Sequence, residues 1–172
     1  MDRELFYTFV MDKILISACL TGNLVRYDGG ARTSANPHLA RWQTEERLIP
    51  YCPEVAGGLP VPRLPAEIEP GANANQVLEG KALIFNSNGQ DVTRAFLDGA
   101  QATLALVWRH SCAHALLTDG SPSCGTSYIH AGRFDGDRKA GTGVTAALLQ
   151  SHGIKVWSEE QIDELAALLD RK

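Results

Sequence analysis

The sequence lacks a long apolar run, a block of basic residues and a C-x-x-C pair. No stretch approaches the ~20 consecutive apolar residues of a membrane span, so no membrane partner is expected. Lysine and arginine are scattered and the net charge is −4, which gives no electrostatic footprint for nucleic acid. A small-molecule substrate is therefore the expected partner, and the sequence leaves the oligomeric state open.

The opening residues also lack the pattern of a secretory signal, which is basic and then apolar. Asp2, Glu4 and Asp12 stand there instead, and we expect a cytoplasmic location. Because residues 11–13 lead directly into a strand-like segment, residues 1–10 are predicted to be a tail or a start-site extension. Residues 11–172 are predicted to form one domain, since the 172-residue chain is 44% hydrophobic and long enough for a full core.

Hydrophobic patterns alternate between strand-like and helix-like segments along this domain. Strands are predicted at 13–18, 48–51, 113–117 and 154–157. Helices are predicted at 38–48, 91–110, 141–150 and after a capping box at 158–161. This alternation predicts the α/β class, as a single three-layer domain whose mainly parallel, Rossmann-like sheet is covered on both faces. A small hairpin insertion is predicted at 77–79 and 82–85, and an ordered, non-helical proline loop at 57–71.

Three of the four cysteines share one sequence context. Cys19, Cys52 and Cys124 each follow an apolar run at a point where Gly, Pro or Ser turns the chain. An open α/β sheet builds its ligand crevice at such strand ends, so the three thiols are expected to meet at one edge. In a reducing compartment, cysteines favour metal binding or catalysis over disulfides. Three converging thiolates suit a soft metal or an iron–sulfur cluster. The same spacing also fits the alternative that the three cysteines are small, buried core residues without a ligand.

The fourth cysteine, Cys112, lies between a predicted helix and a predicted strand without a Gly or Pro corner. We interpret it as a structural residue. His110 and His114 flank it and make a weaker zinc candidate with it, because histidines near element boundaries are usually solvated or satisfied locally.

Polar side chains accompany two of the three cysteines. Glu54 follows Cys52 by two positions, where a carboxylate would act as a general base on water or would accept hydrogen bonds from the amides of the turn. Ser121 and Ser123 precede Cys124, where their hydroxyls would orient a substrate and pass a proton, or would only stabilise the turn. The residues by themselves leave both interpretations open.

Several further residues are weaker candidates for substrate binding. Gly141 and Thr142 open a predicted helix and would offer bare N–H groups to an anion or a carbonyl. Arg63 and Glu67 would bind substrate, or would form an internal ion pair that ties the proline loop. The segments 20–33 and 58–65 are expected to shape the pocket.

Six short motifs follow one another from Met11 onward: ISACL at 16–20, CPEVAGGLP at 52–60, PR at 62–63, PAEI at 65–68, SPSCG at 121–125 and GTGVTA at 141–146. They resemble the motifs of the bacterial "domain of unknown function 523" family. The resemblance covers nearly the whole chain from residue 11, and several of the motifs are specific.

The resemblance implies a cofactor and a reaction. Characterised members of that family are thiouracil desulfidases, in which three cysteines hold a [4Fe–4S] cluster and one iron stays open to the sulfur of the substrate. By motif, the ligands here would be Cys19, Cys52 and Cys124, with Glu54 and Ser121 as acid–base groups. The implied reaction is a non-redox exchange of sulfur for oxygen in 2- or 4-thiouracil, which yields uracil and sulfide.

Two other functions fit the same residues. One is a metal- or cluster-binding protein for sulfur handling or storage, without desulfidase activity. The other is a metal-free thiol hydrolase with Cys124 as nucleophile and His130 or His152 as base. Cys112 falls outside the family's ligand motifs, in keeping with its interpretation as a structural residue.

Overall fold

The structure is a computed structural model that describes residues 11–171, so the predicted tail at 1–10 lies outside the described residues. The strands are β1 (Ile14–Ser17), β2 (Leu48–Tyr51), β3 (Ala66–Ile68), β4 (Ile84–Asn86), β5 (His114–Leu117), β6 (Tyr128–His130), β7 (Arg138–Ala140) and β8 (Lys155–Ser158). The helices are α1 (Pro37–Thr44), α2 (Pro53–Ala56), α3 (Ala74–Leu78), α4 (Thr93–Arg109), α5 (Val144–Ser151) and α6 (Ile162–Leu169). Short 3₁₀ turns occupy Ala18–Thr21 and Glu159–Gln161.

The central sheet has the strand order β2–β1–β5–β8, and each neighbouring pair is parallel. Ile14 pairs with Leu48 on one side and with His114 on the other. Every residue of β1 and β5 is buried. Parallel strands buried on both faces read as near-continuous apolar runs, which is why these two segments were readable in the sequence.

Helices cover both faces of this sheet, because successive side chains of a strand point to opposite sides. Leu15 and Leu117 join the core that includes residues of α3, α4 and α5. Ile16 and Leu116 pack on the other face with residues of α1 and α6, among them the fully buried Trp42. The predicted three-layer α/β domain with a parallel sheet is therefore confirmed.

The chain connections diverge around β1. The helix α1 lies between β1 and β2 in sequence and packs on one face, whereas α4 leads into β5 and packs on the other. A crevice opens at the carboxyl ends of the strands where connections diverge in this way. Cys19 lies two residues after β1 and Cys52 directly after β2, so the topology brings both to the crevice.

The predicted hairpin at 77–79 and 82–85 is wrong in its first strand. Residues 74–78 form α3, which begins at a capping box between Asn73 and Gln76. The partner of β4 is instead β3, which lies inside the predicted proline loop and pairs antiparallel, Ala66 with Asn86. A second antiparallel pair, β6 with β7, was not predicted.

The short helix α2 was not predicted either, and the other elements agree with the predictions, with shifts at their ends. The helix predicted at 38–48 ends at Thr44, and the one predicted at 91–110 spans Thr93–Arg109. The capping box at 158–161 is confirmed, with Ser158 and Gln161 exchanging hydrogen bonds before α6. No helix within residues 11–171 is both long and apolar enough to cross a bilayer.

Candidate active site

One cavity of about 670 Å³ opens at the carboxyl edge of the central sheet, and Cys19, Cys52 and Cys124 all line it. Cys19 lies in the 3₁₀ turn after β1, and Cys52 is the residue that precedes α2. Cys124 lies in the loop that follows β5. The predicted convergence of these three cysteines at one edge is confirmed.

Two glycines fix the position of α2, the short helix that carries Glu54. A Cβ atom on Gly57 would lie 1.9 Å from the carbonyl oxygen of Ala95, and one on Gly99 would lie 2.0 Å from the carbonyl oxygen of Pro53. The backbones of α2 and α4 therefore touch, which only glycine permits. This contact seats Glu54 and the preceding Cys52 at the cavity.

The loop around Cys124 is held by backbone and hydroxyl contacts. The Ser121 hydroxyl oxygen accepts hydrogen bonds from the backbone N–H groups of Ser123, at 2.9 Å, and Cys124, at 3.1 Å. The first amides of α5 donate to the same loop, Val144 to the carbonyl of Pro122 at 2.8 Å. The loop thus caps α5, and the helix in turn orients the Cys124 backbone.

Asp119 anchors the other end of that loop. Its carboxylate oxygen accepts from the backbone N–H groups of Thr126, at 2.7 Å, Ser127, at 2.8 Å, and Tyr128, at 3.2 Å. Burial by itself would raise the pKa of Asp119, but these amide donors favour the charged form and hold that pKa below its ordinary value. The side chain therefore stays an ionised acceptor at neutral pH.

The three cavity thiols influence one another electrostatically. Burial, and after it the neighbouring Cys52, raise the pKa of Cys19 to about 11. Burial also raises the pKa of Cys52, and that of Cys124 is raised most, first by burial and then by Glu54, Cys52 and Cys19. Without a positive partner, buried thiols of this kind stay protonated.

Cys112 is separate from this group. Burial raises the pKa of its thiol to about 11, with small opposing effects from Leu15 and Lys13 and none from the other cysteines. It packs in the core and does not line the cavity. Its predicted structural role agrees with this position.

The donor set indicates what kind of group the cavity would hold. Within residues 11–171, no three His, Cys, Asp or Glu side chains are close enough to share one metal ion. The three thiols line one cavity, and neighbouring thiols raise the pKa values of Cys19 and Cys124. Three soft thiol donors spaced around a cavity suit a group with several metal atoms, so the residues fit an iron–sulfur cluster.

Glu54 bridges two side chains at the cavity wall. Its Oε1 accepts a hydrogen bond from the Ser121 hydroxyl at 2.9 Å, and its Oε2 pairs with Nε of Arg63 at 2.7 Å. The side chains of Glu54 and Arg63 are only 14% and 7% exposed. The alternative in which turn amides satisfy Glu54 is therefore wrong, since side chains from two other segments do so.

Arg63 and Glu67 do not form the ion pair with each other that the sequence suggested. Arg63 pairs with Glu54 and also donates to the carbonyls of Val25, at 3.1 Å, and Pro60, at 3.2 Å. Glu67 accepts from the backbone N–H groups of residues 132 and 134. Both side chains line the cavity, but their polar atoms are engaged within the protein.

The other three substrate-binding candidates, Ser123, Gly141 and Thr142, do not line the cavity. Ser123 is completely buried and its hydroxyl pairs with that of Thr145 at 2.8 Å, while Gly141 and Thr142 do not line the cavity. The expectation of bare N–H groups at this helix start is wrong, because Gly141 donates to the Ser127 carbonyl at 3.2 Å. These residues support the loop instead of facing a ligand.

The histidines do not assemble the alternative sites. His152 lies at the end of α5 against Trp108, and His114 accepts a hydrogen bond from Trp157 at 3.1 Å. His130 lines the cavity, but its Nδ1 is buried without a hydrogen-bond partner. Among the described residues, neither His130 nor His152 hydrogen-bonds Cys124, whose raised pKa also disfavours a free thiolate nucleophile.

The cavity also contains residues that the sequence did not single out. The segments 20–33 and 58–65 shape it as predicted, through Val25, Arg26 and Tyr27 among others. The unpredicted hairpin of β6 and β7 adds a further wall. Its contributions are Tyr128, Phe134 and Arg138, and their only signal in the sequence is an aromatic residue beside arginine in a turn-rich stretch.

Comparisons with known proteins agree with this site. The family model of 2-thiouracil desulfurase matches residues 14–161. The uncharacterized protein YbbK of Bacillus subtilis (strain 168) is 39% identical over 152 residues, which is 88% of this chain and 99% of YbbK. A solved structure described as the [4Fe-4S]-dependent thiouracil desulfidase TudS (DUF523Vcz) is 43% identical, with a TM-score of 0.84, and the match covers 94% of this chain and 99% of that one.

The fold and the site together define an α/β enzyme with a cysteine-lined crevice at the carboxyl edge of a parallel sheet. The chain belongs to the 2-thiouracil desulfurase family. The resemblance drawn from the sequence motifs is thereby confirmed.

Proposed function

We propose that this protein removes the sulfur of a thiolated pyrimidine of the 2- or 4-thiouracil type. Water supplies the oxygen, the ring carbon exchanges its C=S bond for C=O, and sulfur leaves as sulfide. Carbon and sulfur keep their oxidation states, so no electron donor is needed. The observation that carries this proposal is that three thiols and the Glu54–Ser121 pair line one cavity.

Cys19, Cys52 and Cys124 would hold a [4Fe–4S] cluster as thiolates. The description of TudS as [4Fe-4S]-dependent supports this assignment, as does the lining of one cavity by the three thiols. When bound, such a cluster supplies a Lewis acid for the sulfur of the substrate. Its positive charge would also lower the raised pKa values of the three thiols, so its assembly releases their protons.

Glu54 is the group that accepts a proton from the attacking water. It lies two residues after Cys52 on α2, whose backbone contact with α4 holds it in place. Arg63 binds Oε2 and leaves Oε1 toward Ser121. These two contacts hold the carboxylate in one orientation at the cavity wall, which supports its assignment as the general base.

Ser121 connects Glu54 to the reacting molecule. Two backbone amides donate to its hydroxyl oxygen, so its single O–H proton is directed at Oε1 of Glu54. Once Glu54 has taken up the proton of the water, the Ser121 O–H turns from Oε1 to the departing sulfur or the ring and gives up its own proton there, and the proton held by Glu54 replaces it on the Ser121 oxygen. Ser121 therefore serves as the proton relay, and its backbone contacts also hold the Cys124 loop.

The test is anaerobic reconstitution with iron and sulfide, followed by measurement of uracil and sulfide from 2- and 4-thiouracil. Cluster absorbance and iron content are measured separately for alanine variants of Cys19, Cys52 and Cys124, with Cys112→Ala as the matched control. We expect each cavity variant to lose the cluster and the activity, and the control to keep both. Equal loss in the control, or full turnover by cluster-free protein, would overturn the proposal.

A further inference from the structure

The turn formed by residues 131–137 joins β6 to β7 at the cavity, and it presents one aromatic side chain. Phe134 lines the cavity and remains 40% exposed. Its backbone φ is +56°, a left-handed conformation that bulky side chains rarely adopt. A strained backbone conformation at an exposed phenylalanine costs free energy, and such strain often accompanies a functional position.

A buried carboxylate holds this conformation. Glu67 on β3 is 8% exposed and accepts hydrogen bonds from the backbone N–H groups of Gly132, at 2.7 Å, and Phe134, at 3.2 Å. The turn also docks closely on β3, since a Cβ atom on Gly132 would lie 2.4 Å from the carbonyl oxygen of Ile68. The turn is therefore fixed by contacts from another segment, and Phe134 is held where it is.

The other aromatic rings at the cavity are already engaged. The Arg138 guanidinium lies 4.6 Å from the ring centroid of Tyr128, and Arg26 lies 5.8 Å from that of Tyr27. Phe96 is buried in the core, and Tyr51 packs against the same core. Within residues 11–171, Phe134 is the cavity-lining ring that is both substantially exposed and without a cation or aromatic contact.

We propose that the ring of Phe134 stacks on the pyrimidine ring of the substrate, and that Glu67 is a positioning residue that acts through Phe134. This inference rests on the proposed function, because it takes the substrate to be a planar pyrimidine. An aromatic face binds any planar heterocycle and does not distinguish one sulfur position from another. Phe134 therefore contributes affinity for the ring, while the thiol and Glu54 groups perform the chemistry.

The primary experiment compares the cluster-loaded wild type with Phe134→Leu, which keeps an apolar side chain and the same backbone strain but removes the ring face. Binding of uracil is measured calorimetrically, because uracil binds without turnover. Sulfide release from 2-thiouracil then gives KM and kcat. The matched control is Trp108→Leu, an exposed aromatic residue that does not line the cavity.

We expect Phe134→Leu to weaken uracil binding and raise KM together by roughly 5- to 100-fold. The kcat of this variant should stay within about threefold of wild type, since stacking holds the substrate and the transition state alike. Trp108→Leu should change none of the three values. Unchanged uracil binding and KM in Phe134→Leu would overturn the stacking proposal.

Glu67 is tested by rescue and by coupling. Glu67→Gln keeps an oxygen that accepts from both amides and should bind uracil as the wild type does, whereas Glu67→Leu should weaken binding as Phe134→Leu does. In the double variant Phe134→Leu, Glu67→Leu, the two effects should not add, because both act through one ring. Additive losses would overturn the positioning role.

These outcomes separate this inference from the proposed function. A wild type that binds uracil, loses that binding in Phe134→Leu and releases no sulfide would support stacking and contradict the desulfidase reaction. A wild type that releases sulfide with unchanged KM in Phe134→Leu would contradict stacking alone. A cluster-loaded wild type that binds no pyrimidine would overturn both.

Discussion

Glu54→Gln is the substitution that tests the proposed chemistry most directly. Glutamine has the shape of glutamate but cannot accept a proton from water, so it removes the base while it keeps the packing. Its amide presents one oxygen and one NH₂ group, so it cannot accept from both Ser121 and Arg63 as the carboxylate does. One of these two buried donors loses its partner.

The structure sets the expected size of two effects of this substitution, the change in the free energy of unfolding and the change in turnover. Loss of one buried hydrogen bond should lower the free energy of unfolding by about 1–3 kcal/mol. Glu54→Ala would instead strip the nearly buried Arg63 of its partner, at about 3–5 kcal/mol. A domain stable by about 5–15 kcal/mol tolerates the first change more safely than the second, which is why glutamine is the informative choice. Turnover should fall by about 10²–10⁴-fold.

The assay measures iron content, cluster absorbance and sulfide release in the same anaerobic samples. Glu79→Gln, which neutralises a 54%-exposed carboxylate on the surface, is the control for loss of one negative charge. We expect Glu54→Gln to keep the cluster and lose turnover, and the control to keep both. Turnover within about threefold of wild type in a cluster-loaded Glu54→Gln protein would show that Glu54 is not the base.

Two further predictions concern the scaffold of the site. Gly57→Ala should lower the free energy of unfolding by at least about 2 kcal/mol in urea titrations, because its Cβ would lie 1.9 Å from a backbone oxygen of α4. Gly30→Ala serves as the control, since its Cβ would meet only the flexible Asp28 side chain. An unchanged unfolding midpoint in Gly57→Ala would contradict the backbone contact. Asp119→Asn should be less stable than wild type at neutral pH. Because the pKa of Asp119 is lowered in the folded state, its contribution is full above the ordinary aspartate pKa of about 3.9 and disappears as the pH falls through the lowered value. The stability gap between the two proteins should therefore narrow as the pH falls below about 4, and a gap that does not narrow at all between pH 4 and pH 2 would refute this cause.

The sequence was most informative where local pattern and tertiary burial agree. The strands β1 and β5 are short apolar runs because the sheet buries both of their faces, and β1 ends beside a turn that carries Cys19. The capping box before α6 is a local exchange between Ser158 and Gln161, so its sequence signature is enough to locate it. The strand-end position of Cys52 was also visible locally, because Cys52 follows β2 and precedes Pro53.

Prediction failed where the partner of a segment lies far away in the chain. Residues 77–79 follow a good helix start at Asn73, yet the strand-like pattern of the neighbouring residues suggested a hairpin. The true partner of β4 is β3, and each of these two strands has only three residues. Segments of that length carry too little periodicity to reveal their pairing.

The sequence by itself determined the class of fold, the family motifs and the set of cysteines at strand ends, because each of these is written in local patterns of burial and turning. Only the tertiary structure decided that Arg63 pairs with Glu54 instead of Glu67, that the Ser121 proton points at Glu54, and that Phe134 stands at the cavity edge. These contacts join segments up to 67 residues apart. Such contacts depend on how the layers pack, and no local pattern of residue types encodes them.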